Sequence, residues 1–211
     1  MSVIDVYQGH AQEYDKWFEK NPSAYNAELR AVRSLLGPVN CPAVEIGAGS
    51  GRFAAPLEIN TGVEPSENMA RFALQRGVRV VRGVAEAIPF KSASFGIVLM
   101  VTVICFVDDI HETFCEALRV LHKRGRIIIG MIDKESPHAH EYLEKRRDSL
   151  FYKEANFYAA GDILEIMRQT GFKEFSFSQT IFNNPAECSS DEPVKPGYGE
   201  GLFAVLCGTK V

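Results

Sequence analysis

Short apolar runs alternate along this chain with longer segments whose apolar residues recur at helical spacing. The apolar runs predict strands at residues 44–46, 60–64, 78–81, 94–101 and 126–131. Helical periodicity predicts helices at residues 6–19, 24–36, 67–76, 108–122 and 161–170. Strand signals that alternate with helix signals at short spacing are typical of a parallel sheet with crossover helices. Residues 172–182 and 201–209 predict a closing pair of strands, separated by a proline-rich loop that we expect near a site.

Composition favours one folded domain. The chain has 211 residues, of which 46% are apolar, so one core can be buried. We divide it into a helical lid (5–36), a ligand-binding half (43–131), a lid insertion (136–160) and a closing helix and strand pair (161–211). The net charge is −4 and the basic residues are scattered. Nucleic acid is therefore a disfavoured partner, because it normally requires a basic stripe.

Targeting and redox signals favour the cytoplasm. The start of the chain lacks the basic and apolar segments of a signal peptide, and no run reaches the roughly 20 apolar residues of a membrane span. Five scattered cysteines without a C-x-x-C pair fit a reducing compartment better than a disulfide scaffold. No His, Cys, Asp or Glu grouping has metal-ligand spacing, so we predict no metal site.

A glycine-rich turn follows the first predicted strand. The segment from Glu45 to Gly51 reads E-x-G-x-G-x-G, and glycines let a main chain approach a bulky ligand that side chains would exclude. We expect a helix to follow, with its free N–H groups directed at the ligand. The dinucleotide fingerprint G-x-G-x-x-G/A fails because Arg52 occupies its third position, and a Walker loop fails because no Lys follows Gly51.

An acidic residue ends the second predicted strand. Glu64 lies where a carboxylate can accept two hydrogen bonds from a ribose diol. Pro65 and Ser66 follow, and Ser66 is a suitable cap for the next helix, which we expect to stop at Gly77. These features predict a nucleoside-binding pocket at the ends of the first two strands.

Ordered motifs carry a resemblance to a known family. The E-x-G-x-G-x-G segment resembles motif I of the class I S-adenosylmethionine-dependent methyltransferases. Glu64-Pro65-Ser66 with Met69 is similar to the family's D/E-P-S-x-x-M, and residues 83–90 resemble its G-D-A-E-x-L-P-F. Residues 106–109 and 118–126 resemble its F-x-D and R-V-L-K-P-G-G motifs. The match is closest to the ubiquinone-biosynthesis-like branch, methyltransferase type 11.

This resemblance implies a fold, a cofactor and a set of contacts. The fold would be an α/β, Rossmann-like three-layer sandwich with a seven-stranded, mostly parallel sheet whose last strand is antiparallel. The cofactor would be S-adenosyl-L-methionine, and the acceptor a small molecule. The implied cofactor contacts, carried over from the matching motifs, are Tyr14, Trp17, Glu45, Gly47, Ala48, Gly49, Gly51, Glu64, Pro65, Met69, Val84, Ala85, Glu86, Met100 and Thr102.

Several of these residues have structural alternatives. Tyr14 and Trp17 resemble the branch's Y-D-x-W, whose aromatics cover the cofactor, but they could equally form one helix's packing face. Glu45 could cap loop amides instead of touching the ligand, and Met69 could be core. Val84 stands where many relatives carry an Asp that accepts from the adenine amino group, so adenine would be read by the backbone at Val84 and Ala85, or by Glu86.

The expected chemistry is positioning of an acceptor for in-line methyl transfer, with water kept out. A general base is needed only if the acceptor must first lose a proton, and the weak candidates are His138, His140 and Tyr14. Two other functions stay open. One is an NAD(P)-dependent oxidoreductase on a related fold, and the other is a catalytically silent protein that binds S-adenosylmethionine.

Overall fold

The computed structural model describes residues 2–146 and 149–211 as helices on both faces of a single sheet. The helices are α1 (Val3–Gly9), α2 (Ala11–Lys20), α3 (Pro22–Leu36), α4 (Glu67–Gln75), α5 (Ile110–Val120), α6 (Ala139–Arg146) and α7 (Ala160–Thr170). The strands are β1 (Ala43–Ile46), β2 (Thr61–Val63), β3 (Arg79–Val81), β4 (Phe95–Val101), β5 (Leu121–Ile132), β6 (Phe172–Thr180), β7 (Lys195–Pro196) and β8 (Phe203–Lys210).

The sheet has the order β3-β2-β1-β4-β5-β8-β6-β7. The first five strands in this order pair in parallel, and β8 pairs antiparallel with both β5 and β6. This confirms the predicted mostly parallel sheet with an antiparallel last strand. The sheet has eight strands and not seven, because Lys195 and Pro196 of the proline-rich loop add a two-residue edge strand along β6.

Alternating side chains of the central strands bury the two faces of the sheet. Ile97 and Leu99 pack in one core cluster with α3, whereas Val98 and Met100 pack in a second cluster with α5 and α7. All four side chains are almost fully buried. A strand buried on both faces reads as a continuous apolar run, which is why β4 was visible in the sequence.

Several element boundaries follow the prediction. Ser66 caps α4 by accepting a hydrogen bond from the Met69 amide (3.3 Å), and the chain turns at Gly77 with a positive φ. Gly171 ends α7 in the left-handed conformation. These signals are local, because a cap or a left-handed glycine acts within a few residues of the helix end.

The differences from the prediction are largest in three helical segments. The expected helix over 6–19 is two helices separated at His10, and the break lets Gln8 of α1 accept hydrogen bonds from the Ser66 hydroxyl and the Asn68 amide. No regular helix follows the glycine turn, where residues 51–58 form successive turns instead. The helix expected over 108–122 ends at Val120, because Leu121 already pairs with β4 and Lys210 binds the Leu118 and Leu121 carbonyls.

Among the residues that the structure describes, no helix has the length and apolar content needed to cross a membrane. All five cysteines are free thiols.

Candidate active site

A cavity of about 480 Å³ opens where the parallel strands end. Gly47 follows β1, Glu64 follows β2 and Thr102 follows β4, and all three line it. The carboxyl ends of parallel strands are where open α/β sheets bind their ligands. We call this space the main cavity.

Most of the predicted cofactor contacts line the main cavity. They are Tyr14, Gly47, Gly49, Glu64, Pro65, Met69, Val84, Ala85, Glu86 and Thr102. The structure does not bring the remaining predicted contacts to its wall, namely Trp17, Glu45, Ala48, Gly51 and Met100. Sequence reasoning missed other lining residues, among them Tyr7, Val103, Phe106, Asp108 and Asn156. Phe106 and Asp108 belong to the F-x-D motif, so this motif could have predicted that both residues line the cavity.

The glycine turn needs its glycines. Gly47 and Gly49 have φ angles of +69° and +52°, in the region that favours glycine. A Cβ atom on Gly47 would lie 2.3 Å from Cγ2 of Val103, so any side chain there would collide with the opposite wall. A Cβ atom on Gly49 would lie 3.3 Å from Cε of Met69, which is closer than an ordinary van der Waals contact. Main chain therefore forms this wall of the cavity.

Glu64 organises the turn as well as lining the cavity. Its two carboxylate oxygens accept hydrogen bonds from the Gly49 amide (3.0 Å) and the Ser66 amide (2.9 Å). Burial raises the pKa of Glu64, and these two hydrogen bonds oppose the shift. Each carboxylate oxygen can accept a second hydrogen bond, so capacity remains for ligand hydroxyls.

Glu45 and Gly51 have structural roles. Glu45 is almost fully buried and accepts a hydrogen bond from the Ala54 amide (2.8 Å), so it holds the turns after the glycine segment. Burial raises its pKa well above the usual value. A Cβ atom on Gly51 would lie 3.0 Å from Cα of Ala73, so this glycine allows α4 to pack closely. Of the two roles considered for Glu45, capping of a loop amide matches the geometry, and contact with a ligand in the main cavity does not.

Two further predicted contacts, Met100 and Ala48, do not line the main cavity because their side chains are buried elsewhere. Met100 is fully buried in the core between the sheet and α5. Ala48 is buried, and its methyl group lies 2.6 Å from the position that a Cβ atom on Gly62 would take.

The far wall of the main cavity is acidic. Glu86 accepts a hydrogen bond from the Asp108 amide (2.7 Å), which ties the segment after β3 to the segment after β4. Val84, the residue that replaces an Asp of the resembling family, is 39% exposed on the same wall. The described lining residues include the carboxylates of Glu64, Glu86, Asp108 and Glu154 and no Lys, Arg or His. Such a lining favours a cationic ligand over a phosphorylated one.

Aromatic rings cover the main cavity. The ring centroid of Tyr7 lies 5.2 Å from that of Tyr14, 5.6 Å from that of Phe106 and 5.5 Å from that of Phe151. Tyr7, Tyr14 and Phe106 line the cavity, and Phe151 packs against Tyr7 and Tyr14. We call these four side chains the aromatic cover. Burial raises the pKa of Tyr7 and of Tyr14 above the usual value for a tyrosine. This direction disfavours the phenolate form that Tyr14 would need in order to act as a general base.

An ion-pair cluster fastens the cover to the glycine turn. Asp15 of α2 is buried and accepts hydrogen bonds from Arg52 (2.8 and 2.7 Å) and from Arg76 (2.8 Å). Arg76 also donates to the Ser50 carbonyl (2.9 Å). Arg52, whose presence broke the dinucleotide fingerprint, thus connects α2 to the turn. We call these three residues the ionic tether.

A second space of about 130 Å³ adjoins the main cavity, and Tyr14 and Thr102 line both. Thr102 has a positive φ of 51°, which is a strained conformation for a β-branched residue and is common at functional sites. We call this space the aromatic chamber, because its walls include Trp17, Phe18, Phe53, Tyr142, Phe151 and Tyr152. Trp17, expected over the cofactor, lies here instead.

The histidines proposed as bases lie away from both spaces. The His140 side chain is 85% exposed and faces Glu144 at 3.7 Å, and His138 is partly exposed. Neither lines the main cavity or the aromatic chamber. The proline-rich loop, expected over the site, instead packs on α3, where Arg30 donates to the Ser190 carbonyl (2.9 Å). Within residues 2–146 and 149–211, no cluster of three or more His, Cys, Asp or Glu could hold a metal ion.

Comparison with known proteins agrees with this geometry. Residues 44–129 match the model of a methyltransferase domain. A crystal structure from Thermotoga maritima, named a SAM-dependent methyltransferase and possible histamine N-methyltransferase, is 48% identical with a TM-score of 0.94, covering 99% of this chain and all of that one. An uncharacterized protein from Methanocaldococcus jannaschii is 39% identical, with 99% and 100% covered.

A more distant structure shares the fold. It is a phosphoethanolamine N-methyltransferase from Haemonchus contortus, solved with S-adenosyl-L-methionine, at 17% identity and a TM-score of 0.62, over 88% of this chain and 52% of that one.

The fold and the site define a class I methyltransferase. The chain belongs to the family of S-adenosylmethionine-dependent methyltransferases, whose cofactor is S-adenosyl-L-methionine. The main cavity fits that cofactor in three respects. It offers a wall of main chain at Gly47 and Gly49, a carboxylate at Glu64 for a ribose diol, and an acidic lining for a cationic molecule.

Proposed function

We propose that this protein is an enzyme that transfers a methyl group from S-adenosyl-L-methionine to a small-molecule acceptor by in-line displacement. The observation that carries the proposal is the pairing of two adjoining spaces across Tyr14 and Thr102. The main cavity has the features of a cofactor site, and the aromatic chamber is a smaller enclosure beside it. A transferase needs two such places, because donor and acceptor must be held together.

The cofactor contributes a methyl group that its sulfonium has already activated. The residues of this chain are then required for binding, orientation and exclusion of water. Gly47 and Gly49 would admit the amino-acid tail, Glu64 would hold the ribose, and Met69 with Ala85 would flank the adenine. Holding two reactants at a near-attack geometry contributes about 7–11 kcal/mol in favourable cases.

The aromatic cover would keep water from the reacting atoms. Its four rings come from α1, α2, the segment after β4 and residues 149–157, and they contact one another by their edges and faces. Closing such a site strengthens the electrostatic interactions inside it. We infer that α1 and α2 form the lid and that residues 149–157 complete it.

The size and charge of the site support a small acceptor. The aromatic chamber is lined by side chains and has about 130 Å³ of space, which suits an acceptor group of small size. The net charge of −4 and the acidic lining also disfavour a nucleic-acid acceptor. With free cysteines, the chain is suited to a reducing cytoplasm, which we propose as its location.

The oxidoreductase alternative receives less support. A dinucleotide carries a diphosphate, and the described lining of the main cavity supplies carboxylates without any Lys, Arg or His. No regular helix follows the glycine turn to direct its N-terminus at phosphates.

Calorimetry and turnover together test the proposal. We expect S-adenosylmethionine and S-adenosylhomocysteine to bind the wild type and NAD to give no heat. We also expect S-adenosylhomocysteine to form when the enzyme is incubated with S-adenosylmethionine and a panel of amines, phenols, thiols and carboxylates. NAD binding without binding of either sulfur compound would favour the oxidoreductase, and cofactor binding with no transfer to any acceptor would favour a silent binding protein.

A further inference from the structure

Thr102 has a backbone conformation that its residue type disfavours. Its φ of 51° lies in the left-handed region, where a β-branched residue is an outlier. The bend is held on both sides, because the Thr102 amide donates to the Gly130 carbonyl of β5 (2.8 Å) and the Cys105 thiol donates to the Thr102 carbonyl (3.4 Å). Strain of this kind persists where the surrounding structure fixes it, and it is concentrated at functional sites.

The other non-glycine residues with positive φ have no connection with the site. Four of them are exposed on the surface, namely Glu58, Ala93, Arg124 and Glu174. The fifth, Ile181, is buried and packs in the core cluster that contains α3, so its apolar contacts offset the strain. Within the described part of the chain, Thr102 is the residue of this group that lines the main cavity and the aromatic chamber.

A glycine at position 102 would make the same bend without strain. The main cavity already uses glycine for the positive φ angles of Gly47 and Gly49. A threonine adds a hydroxyl and a methyl group at the place where the two spaces meet. Among residues 2–146 and 149–211 we find no hydrogen-bond partner for this hydroxyl, so its one donor and its two acceptor positions are available to a ligand.

We propose that the Thr102 hydroxyl binds the ligand group at the point of methyl transfer, and that the strained backbone is retained because it presents this hydroxyl to both spaces. The inference rests on the proposed function and adds to it the side chain at which donor and acceptor meet. The transferable group of the donor would reach Thr102 from the main cavity, and the atom that receives it would reach Thr102 from the aromatic chamber. One hydroxyl can contact both, because it donates one hydrogen bond and accepts others.

An analogue of the donor tests this position without turnover. Sinefungin carries a primary amine on carbon where S-adenosylmethionine carries its methyl group on sulfur, and S-adenosylhomocysteine carries no group there. The ratio of their dissociation constants, measured by calorimetry at neutral pH, therefore reports on contacts at the transfer point. We expect the wild type to bind both compounds. Thr102→Val keeps the shape and removes the hydroxyl, so it should weaken sinefungin about tenfold relative to S-adenosylhomocysteine.

Thr102→Ser is the matched control, because it keeps the hydroxyl and loses only a methyl group. Its ratio of dissociation constants should stay within about twofold of the wild type. An unchanged ratio in Thr102→Val would overturn this inference alone, and so would a wild type that binds S-adenosylhomocysteine but not sinefungin. A wild type that binds neither compound would overturn the proposed function together with the inference.

A glycine variant tests whether the strained conformation serves the ligand or the fold, and it replaces Thr102→Val if that variant does not fold. Thr102→Gly removes the strain and the hydroxyl together, so we expect it to melt no more than about 3 °C below the wild type and to lose the preference for sinefungin. Ala93→Gly is the matched control, because exposed Ala93 has the same φ of 51°, and it should melt similarly with an unchanged binding ratio. A larger fall in the melting temperature of Thr102→Gly would show that the side chain serves the fold, and would overturn the proposal.

Discussion

The floor and the cover of the main cavity are built in different ways. The floor, formed by Gly47, Gly49 and Glu64, consists of main chain at the two glycines, held by the buried Glu64 carboxylate, which accepts hydrogen bonds from the Gly49 and Ser66 amides. The cover consists of side chains from distant segments, held by ring contacts and by the ionic tether of Asp15, Arg52 and Arg76. The floor leaves no room for a side chain at Gly47, whereas the cover is made of side-chain contacts between segments that are distant in sequence.

The largest effect should come from breaking the floor at Gly47. Gly47→Ala places a methyl group where Val103 already lies and forces alanine into a positive φ. We expect S-adenosylhomocysteine binding to be lost and unfolding to become easier by about 2–4 kcal/mol, from strain and overpacking together. Calorimetry and urea unfolding measure the two effects.

The control for this variant is Gly161→Ala, because a Cβ atom on Gly161 has open space around it. It should leave the cofactor affinity unchanged and the free energy of unfolding equal or slightly higher. Equal behaviour of the two alanine variants would contradict the close approach at Gly47.

A smaller loss should follow from removing the charge of Glu64. In Glu64→Gln the side chain keeps its shape but loses a charged acceptor, and hydrogen bonds to charged groups contribute about 1.5–3 kcal/mol. We expect S-adenosylhomocysteine to bind about 10–100-fold more weakly by calorimetry. Glu67→Gln, which changes an exposed carboxylate three residues along, should bind like the wild type. Unimpaired S-adenosylhomocysteine binding in Glu64→Gln would contradict the expected contact between the Glu64 carboxylate and the ribose.

Breaking the tether should affect stability more than cofactor contacts. Arg52→Ala leaves buried Asp15 with Arg76 as its remaining tether partner, and we expect a loss of about 1–3 kcal/mol in urea unfolding. Proteolysis within the first 36 residues should become faster. Arg71→Ala, which breaks an exposed i,i+4 pair with Glu67, should cost about 0.5 kcal/mol or less. Similar losses in the two variants would show that the tether is an ordinary surface pair.

The smallest effect should be a pH dependence of cofactor affinity. Burial raises the pKa of Glu64 above its usual value of 4.5, so the charged form begins to disappear at a pH above 4.5 as the pH falls. We expect S-adenosylhomocysteine affinity to decrease over that window in the wild type and to stay flatter in Glu64→Gln. Calorimetry between about pH 8 and about pH 5 measures it. If S-adenosylhomocysteine affinity depended on pH in the same way in both proteins, a group other than Glu64 would be responsible for the pH dependence.

The sequence predicted the floor well because its determinants are local. Gly47, Gly49, the acid at the end of β2 and the Ser66 cap each depend on a few residues, and the structure has the two glycines and the acid at the cavity wall and Ser66 at the start of α4. The expected helix after the turn was wrong, because the chain over residues 51–58 forms turns, and Glu45 accepts a hydrogen bond from the Ala54 amide within them. Residue types alone gave no indication of that contact.

The sequence was a poorer guide to the cover. Tyr14 and Trp17 share a helix, yet the structure assigns Tyr14 to both spaces and Trp17 to the aromatic chamber. Phe151 was visible only as part of a polar and aromatic segment, and its contact with Tyr7 joins residues that are far apart in the chain. The suggested bases His138 and His140 were chosen by their position in a lid segment, and the fold leaves them outside both spaces.

By itself, the sequence determined the family through its ordered motifs. It also determined the parallel sheet with its antiparallel return and the glycine turn, because hydrophobic period, glycine geometry and caps are properties of short segments. Only the tertiary structure decided that Arg52 connects α2 to the glycine turn through Asp15, that Glu45 supports the turns after the glycine segment, and that Glu28 and Thr102 line the same aromatic chamber. Those arrangements depend on which segments the sheet brings together, and long-range packing of this kind leaves no periodic signal in the chain.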